Sequence, residues 1–353
     1  MKFKLKHFKN ESVQSLWVLK TISLCRIFLG NYANVSESRS ICYLIKLYCI
    51  FFVSTIVGIY FCEIFRRDFL FIQFVTITEY SLTALIFFIY GNERFKNFLS
   101  AINTNDRIMG FKKISLFTNY VSLFILFNSS LRIGLVIIHA IFTHNTIQGY
   151  FSVLFVLLSI DCNNFGIIFI FSTIQIRMNQ LRNFLSLNSV PINIVGRNEI
   201  AISIKNVRKS LLYYNNLLDN FQSVDEQLQY LVNILINLVV FFYDFNFPDP
   251  LKVSLIVDTI QSLAMASCSA FIVEATAHEV DEIKETLTTQ LLRCSDSSLR
   301  FELETALQYV SLRPFRYTIC RAVPLNIYLP FSVISICITY VIVAMQLTHF
   351  TEH

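Results

Sequence analysis

Three charged side chains, Glu79, Arg132 and Asp161, interrupt otherwise apolar runs. A single ionised group at the middle of an apolar helix in lipid costs roughly 2.5 to 3.5 kcal/mol, so such groups face inward and pair. Counted from the outer end of each run at about 1.5 Å per residue, all three fall about 13 to 17 Å deep. One shared level is therefore predicted. Asp258 sits higher, about 8 Å down, and is better placed to meet a ligand. Together with Gln73, Tyr80, His139, Ser159 and Gln261, these residues form the candidate ligand-binding set. Aromatic and apolar walls with a few polar groups are the usual make-up of a small-molecule site. For each residue taken singly, ordinary interhelical hydrogen bonding is the competing reading, and a structural ion pair is the competing reading for the charges. Lys46 lies near the inner end of its run and snorkels.

A second pattern lies near the carboxyl terminus, where Ser332, Ser335, Thr339, Val343, Gln346 and Phe350 fall on one helical face. That face is hydroxyl-bearing below and apolar or amide-bearing above. Hydroxyls can replace part of an ion's hydration, and an apolar ring can gate by dewetting, so the stripe suits a pore. Small polar residues on membrane helices more often mediate packing between helices, and the stripe alone favours that reading.

The elements that must hold these residues are long apolar helices. The chain has 353 residues, 54% hydrophobic, 15% aromatic and 15% charged, with mean hydropathy +0.55. That is too much apolar surface for one soluble core, so the predicted class is an all-α polytopic membrane protein. Seven spans are expected: 41–62, 70–90, 121–142, 150–173, 228–247, 253–275 and 325–347. Each is helical because backbone polar groups in lipid must be satisfied within their own segment.

Lys and Arg set the orientation, since short cytoplasmic loops retain them. The segments before the first span and at 91–120, 174–227 and 276–324 hold 24 of them, and the alternate loops hold 3. The amino terminus is thus predicted inside and the carboxyl terminus outside. No cleavable leader is expected, because no apolar stretch with a small-residue cleavage site follows the basic start. The predicted layout is a cytoplasmic segment at 1–40, spans one to four within 41–175, a cytoplasmic helical extension at 176–227, and spans five and six within 228–275. A cytoplasmic helical anchor at 276–324 and a pore-lining seventh span at 325–347 complete it. In the extension, Ile200, Ile204, Val207, Leu211, Tyr214, Leu218, Phe221 and Leu228 recur in alternating steps of four and three. This is a seam, either between subunits or against the chain's own helices. A further helix from Ser297 to Arg313 should stop at Pro314.

The final span also carries Thr339-Tyr340, five apolar residues and Gln346-Leu347, preceded by Arg313-Pro314-Phe315-Arg316-Tyr317 and Leu325-Asn326. These residues resemble the signature of insect gustatory receptors, Thr-Tyr-(five hydrophobic)-Gln-Phe, with Leu347 where the family has Phe. The resemblance is strongest over about the last sixty residues. It implies a ligand-gated, poorly selective cation channel of four subunits, in the same or mixed copies, in the plasma membrane. The last helix would line a shared pore, with Gln346 and Leu347 at the gate. A small-molecule tastant would bind in the outer half of each subunit. Sugar-sensing members commonly carry an acidic residue after the Thr-Tyr pair, and Val341 stands there, which favours bitter or other non-sugar compounds. The permeant ions implied are monovalent cations, with divalent ones left open.

Other classes find less in the chain. A G-protein-coupled receptor needs an outside amino terminus, and Asn-Pro-x-x-Tyr is absent from the last span. A transporter would rest on Glu79, Arg132 and Asp161 alone, and no internal repeat supports one. No Ser/His/Asp set, phosphate loop or paired carboxylates point to an enzyme. No cofactor is expected. His278 and Glu282 share a helix face without a third ligand, so no metal is expected either. The net charge of +5 sits on the face that meets anionic lipid and calls for no nucleic-acid partner.

Overall fold

In the computed structural model of the chain, the described residues are 21, 23–34, 38–64, 70–90, 93–111, 119–142, 147–188, 196–222, 249–319 and 323–351. They form nine long helices: α1 Arg39–Ile64, α2 Leu70–Tyr90, α3 Glu93–Met109, α4 Asn119–Phe142, α5 Ile147–Leu187, α6 Arg197–Gln222, α7 Asp249–Arg293, α8 Ser297–Leu312 and α9 Leu329–Thr351. A two-residue antiparallel ladder, β1 Thr318–Ile319 with β2 Val323–Pro324, sits between α8 and α9. The architecture is all-α. Among the described residues, two helices are long and apolar enough to cross a membrane, Arg39–Cys62 and Gln148–Leu187. Shorter apolar stretches run over Thr76–Ile89 and Ser122–Ile138. The expected fifth span at 228–247 lies outside the described residues.

The core gathers around α5, which packs against α1, α2, α4, α6 and α7. The 41 residues of α5 and the 45 of α7 each run unbroken well past the ends of the expected fourth and sixth spans. Each is therefore one rod joining two regions rather than a span followed by a loop. Beyond the span ends, α3, α6, α8 and the far halves of α5 and α7 form a second bundle. In it, Val207, Tyr214, Leu218 and Phe221 of the seam are buried, with Ile200, Ile204 and Leu211 packed against them. The seam is thus used within the chain, against α3, α5 and α8.

Local chemistry explains where α8 begins and ends. The Asp296 carboxylate accepts from the Ser298 and Leu299 amides at 3.0 and 2.9 Å, satisfying donors left open by the first turn. At the other end Pro314 follows the capping residue Arg313, as the sequence predicts. The chain then enters an aromatic cluster. Tyr317 stacks edge-on with Phe171 at 5.2 Å and with Phe221 at 5.5 Å, and Phe315 lies 5.3 Å from Phe221. This cluster holds the ladder against α5 and α6 immediately before α9 departs.

The segment ahead of α1 does not stand apart. Residues 23–28 are helical, Leu29 and Gly30 turn, and Leu29, Gly30, Asn31, Tyr32 and Ala33 are all buried. Gly30 adopts φ +85°, and a Cβ there would meet Phe52, Val53 and the Tyr80 hydroxyl at 2.9 Å. Both the backbone sign and the lack of space require glycine.

Candidate functional site: a polar belt across the helices and an exposed final helix

The belt is built from α4, α5, α2, α7 and the amino-terminal turn. Arg132 on α4 and Asp161 on α5 meet in a two-pronged ion pair, Nε to Oδ2 at 2.7 Å and Nη2 to Oδ1 at 3.1 Å. The side chains are 4% and 3% exposed, so neither charge can be met by water. The guanidinium fork matches the carboxylate, the arrangement that makes a buried pair tolerable. Two of the three charges expected to pair are thus in direct contact. Glu79 is half-buried on α2, one residue before the fully buried Tyr80.

Neighbouring polar groups are satisfied by partners the sequence did not suggest. Ser159 Oγ accepts from Asn31 Nδ2 at 2.7 Å, and the Tyr80 hydroxyl donates to the Leu29 carbonyl at 3.1 Å. Both partners come from the amino-terminal turn, which the reading of 1–40 as a separate segment left out. The Gly30-Asn31 pair was the signal available, since it marks a turn between two apolar helices. Gln261 on α7 donates to the Asn128 carbonyl on α4 at 3.2 Å. Arg26 is buried with its guanidinium 4.7 Å over the Phe87 ring and against Gly166, where a Cβ would collide with it. Lys46 lies 5.0 Å over Tyr32 and 5.3 Å over Phe88. A cation over a ring face is attracted by the ring's negative face. The side chains of Gln73, His139, Asp258, Tyr340 and Leu347 lie outside the described residues.

A second buried pair joins the far bundle. Arg177 on α5 is 2% exposed and reaches Asp106 on α3 at 3.1 Å, and Tyr213 on α6 donates to the other Asp106 oxygen at 2.6 Å. Burial first, then the adjacent Asp106 charge, raises the Tyr213 pKa, so the hydroxyl keeps its proton. Nearer the surface, Arg208 bonds Glu302 across α6 and α8 at 2.5 Å and holds that carboxyl below its ordinary value. Glu279 on α7 takes Asn179 at 3.2 Å and Arg182 at 3.2 Å, both from α5.

On the final helix, most of the described side chains are exposed. Leu329 and Pro330 are buried at its start, whereas Ser332, Ile334, Ser335, Ile336, Ile338, Thr339, Ile342, Val343 and Gln346 are exposed. Its principal contact within the chain is with α7. Ser332 Oγ donates to the Tyr328 carbonyl at 3.0 Å and Thr339 Oγ1 to the Ser335 carbonyl at 2.9 Å. With their protons committed to the helix, these hydroxyls turn oxygen lone pairs outward. A row of outward lone pairs attracts cations.

No family model matches the chain, and no characterised protein matches it by sequence. Among solved structures, an insect olfactory receptor from Machilis hrabei in complex with eugenol superposes with a TM-score of 0.61. The match covers 95% of this chain and 98% of that one at 11% identity. The chain has an insect olfactory receptor fold. Coverage of both chains nearly end to end means that the long α5 and α7, the far bundle and α9 all belong to the one shared fold.

Proposed function

We propose that the protein is a chemosensory receptor of gustatory type that works as a ligand-gated, non-selective cation channel in the plasma membrane. The observation that carries this reading is α9. Its apolar residues Ile334, Ile336, Ile338 and Ile342 and its hydroxyls at Ser332, Ser335 and Thr339 are all exposed on a single copy, so a lone chain leaves these faces of the helix uncovered. A closed ring of copies gives it both surroundings it asks for, with apolar flanks against neighbours and lipid and the polar face on a shared axis. Four subunits, alike or mixed, are the number the family resemblance implies.

The seven spans run with the amino terminus inside, the orientation that the distribution of Lys and Arg supports. The second bundle then lies in the cytoplasm as an anchor. A small-molecule tastant settles in the outer half near Glu79, Arg132, Asp161, Asp258 and Gln261. The fold match to a receptor holding eugenol supports a small organic ligand, and Val341 favours a non-sugar compound. Ligand shifts the closed-to-open equilibrium by the difference in its affinity for the two states. Opening separates the α9 helices at Val343, Gln346 and Leu347. Monovalent cations pass with little discrimination, because 326–348 carries no formal charge.

Whole-cell currents from cells expressing the chain, alone and with related subunits, test this reading. Gln346→Ala and Leu347→Ala should raise basal current or alter the ratio of sodium to potassium permeability. Currents unchanged at normal surface expression would remove α9 from the pore.

A further inference from the structure

Lys46 on α1 is half-buried, and its ammonium stands 5.0 Å over the Tyr32 ring of the amino-terminal turn and 5.3 Å over the Phe88 ring of α2. Ring faces attract the charge but supply no oxygen for its three N–H donors. Among the described residues, neither Lys46 nor Arg39 lies in an ion pair. The direction of the side chain places the charge. Helical side chains lean toward the amino-terminal end of their helix, and α1 begins at Arg39, about 10 Å before Lys46. Phe88 stands two residues before the end of α2, and Tyr32 lies on the chain leading back to the start of α1. The ammonium therefore sits toward the side on which α1 begins and α2 stops. On the membrane reading proposed above that side is the inner one, and a lysine leaning this way carries its charge to the boundary between hydrocarbon and headgroups.

Arg39, Tyr43, Lys46 and Ile50 fall within about 60° of one another around α1. Arg39, Tyr43 and Ile50 are exposed, so this strip faces outward and not into the bundle. The lean of Lys46 brings its ammonium back toward Arg39, seven residues earlier on the same strip. Positive charge that no carboxylate of the chain offsets therefore lies at the depth of lipid phosphates, with a tyrosine beside it. Deeper along the same side, the exposed Leu47 and Ile50 continue the strip as an apolar surface.

We infer that this strip is a binding site for an anionic phospholipid, with the headgroup on Lys46 and Arg39 and the acyl chains along Leu47 and Ile50. Unneutralised basic residues at this depth attract acidic lipids. A phosphatidylcholine phosphate arrives with its own quaternary ammonium, for which the strip holds no counter-charge. A phosphatidylserine headgroup carries a carboxylate besides the phosphate, one acidic group for each cation. The inference rests on the chain being a membrane protein and is independent of the channel, its ligand and its number of subunits.

The test is thermal unfolding of the full-length protein in nanodiscs of phosphatidylcholine and in nanodiscs of phosphatidylcholine mixed with phosphatidylserine. Both leaflets of a nanodisc carry the serine lipid, so the outcome does not depend on which way the chain is inserted. The wild-type midpoint should rise by about 2 °C in the mixed lipid. Lys46→Gln should lose most of that rise, Arg39→Gln part of it, and Lys46→Arg should keep it. Lys205→Gln removes the same charge from the exposed surface of α6, away from the strip, and should also keep the rise. Each variant is compared with its own midpoint in phosphatidylcholine, which separates lipid binding from a change in folding. If Lys46→Gln does not fold, the exposed Arg39→Gln carries the same comparison. The assignment is overturned if the wild type shows no rise, or if Lys46→Gln keeps the full rise while losing stability equally in both lipids, as a contact with another protein chain would give. It is also overturned if Lys205→Gln loses as much as Lys46→Gln, which makes the effect one of net charge. No ligand and no current enter the measurement, so a failed channel assay and a failed lipid assignment are separate results.

Discussion

At the scale of single residues, the Arg132 to Asp161 contact shows how far charge and depth can be read ahead of coordinates. Opposite charges at one depth in adjacent spans leave pairing as the way to avoid two separate burial penalties, and the structure makes that pair. Asp161→Asn leaves Arg132 buried without its counter-charge, and we expect a loss of about 3 to 5 kcal/mol, seen as reduced surface expression and an earlier unfolding midpoint. Replacing both with apolar residues of similar size, Arg132→Met with Asp161→Leu, should recover most of it. If the double variant folds well but no longer responds to ligand, the pair serves the site as well as the fold. Ser159 and Tyr80 were harder to read. Each was recognisable as a polar group needing a partner, but the partners Asn31 and the Leu29 carbonyl are 128 and 51 residues away. No periodicity links a helix to a turn that packs beside it from so far along the chain.

Among the elements, the helices were largely legible because a long apolar run in lipid has one backbone solution. The end of α8 was visible in Pro314, and the continuation of α7 past its span in His278 to Lys284. The two-residue ladder was not visible, since Thr318 and Ile319 pair with Pro324 and Val323 through tertiary packing of Phe315 and Tyr317 and not through any strand pattern. The amino-terminal turn was missed for a related reason. Its basic start pointed to the cytoplasm, while the apolar residues after it are too few to register as a span. Gly30→Ala tests how tightly that turn is held. A side chain there must adopt an unfavourable φ and push into Phe52, Val53 and Tyr80. The expected cost is about 1 to 3 kcal/mol, measured as a lowered unfolding midpoint. A neutral result would mean that the turn can swing clear of α1 and α2.

For the molecule as a whole, the second bundle shows what a four-three repeat can and cannot say. The spacing from Ile200 to Phe221 demanded an apolar partner but did not say whose, and the answer is α3, α5 and α8 of the same chain. On α9, by contrast, exposed apolar residues and exposed hydroxyls lie side by side. With α9 on a shared axis, single cysteines at Ser335 should cross-link copies under oxidation in intact membranes, up to the expected four, whereas a cysteine at Ile338 should label mainly with lipid-side reagents. Monomer alone on a denaturing gel, at full surface expression, would place α9 away from any axis.

The unbroken course of α5 has a mechanical meaning. At 1.5 Å per residue its 41 residues make a rod of about 60 Å. Arg177, clamped by Asp106, lies about a quarter of the way from its carboxyl end, and Asp161 lies on the long arm. Such a rod cannot bend sharply without a break in its hydrogen bonds, so a disturbance on the long arm tips it about the clamp. A tilt of 3° moves the distant tip by about 2 Å and the near tip by under 1 Å, in opposite directions. If the long arm lies beside the ligand and the short arm beneath the pore, as the reading proposed above has it, the rod is a seesaw with unequal arms that turns a wide sway at one end into a small, forceful nudge at the other.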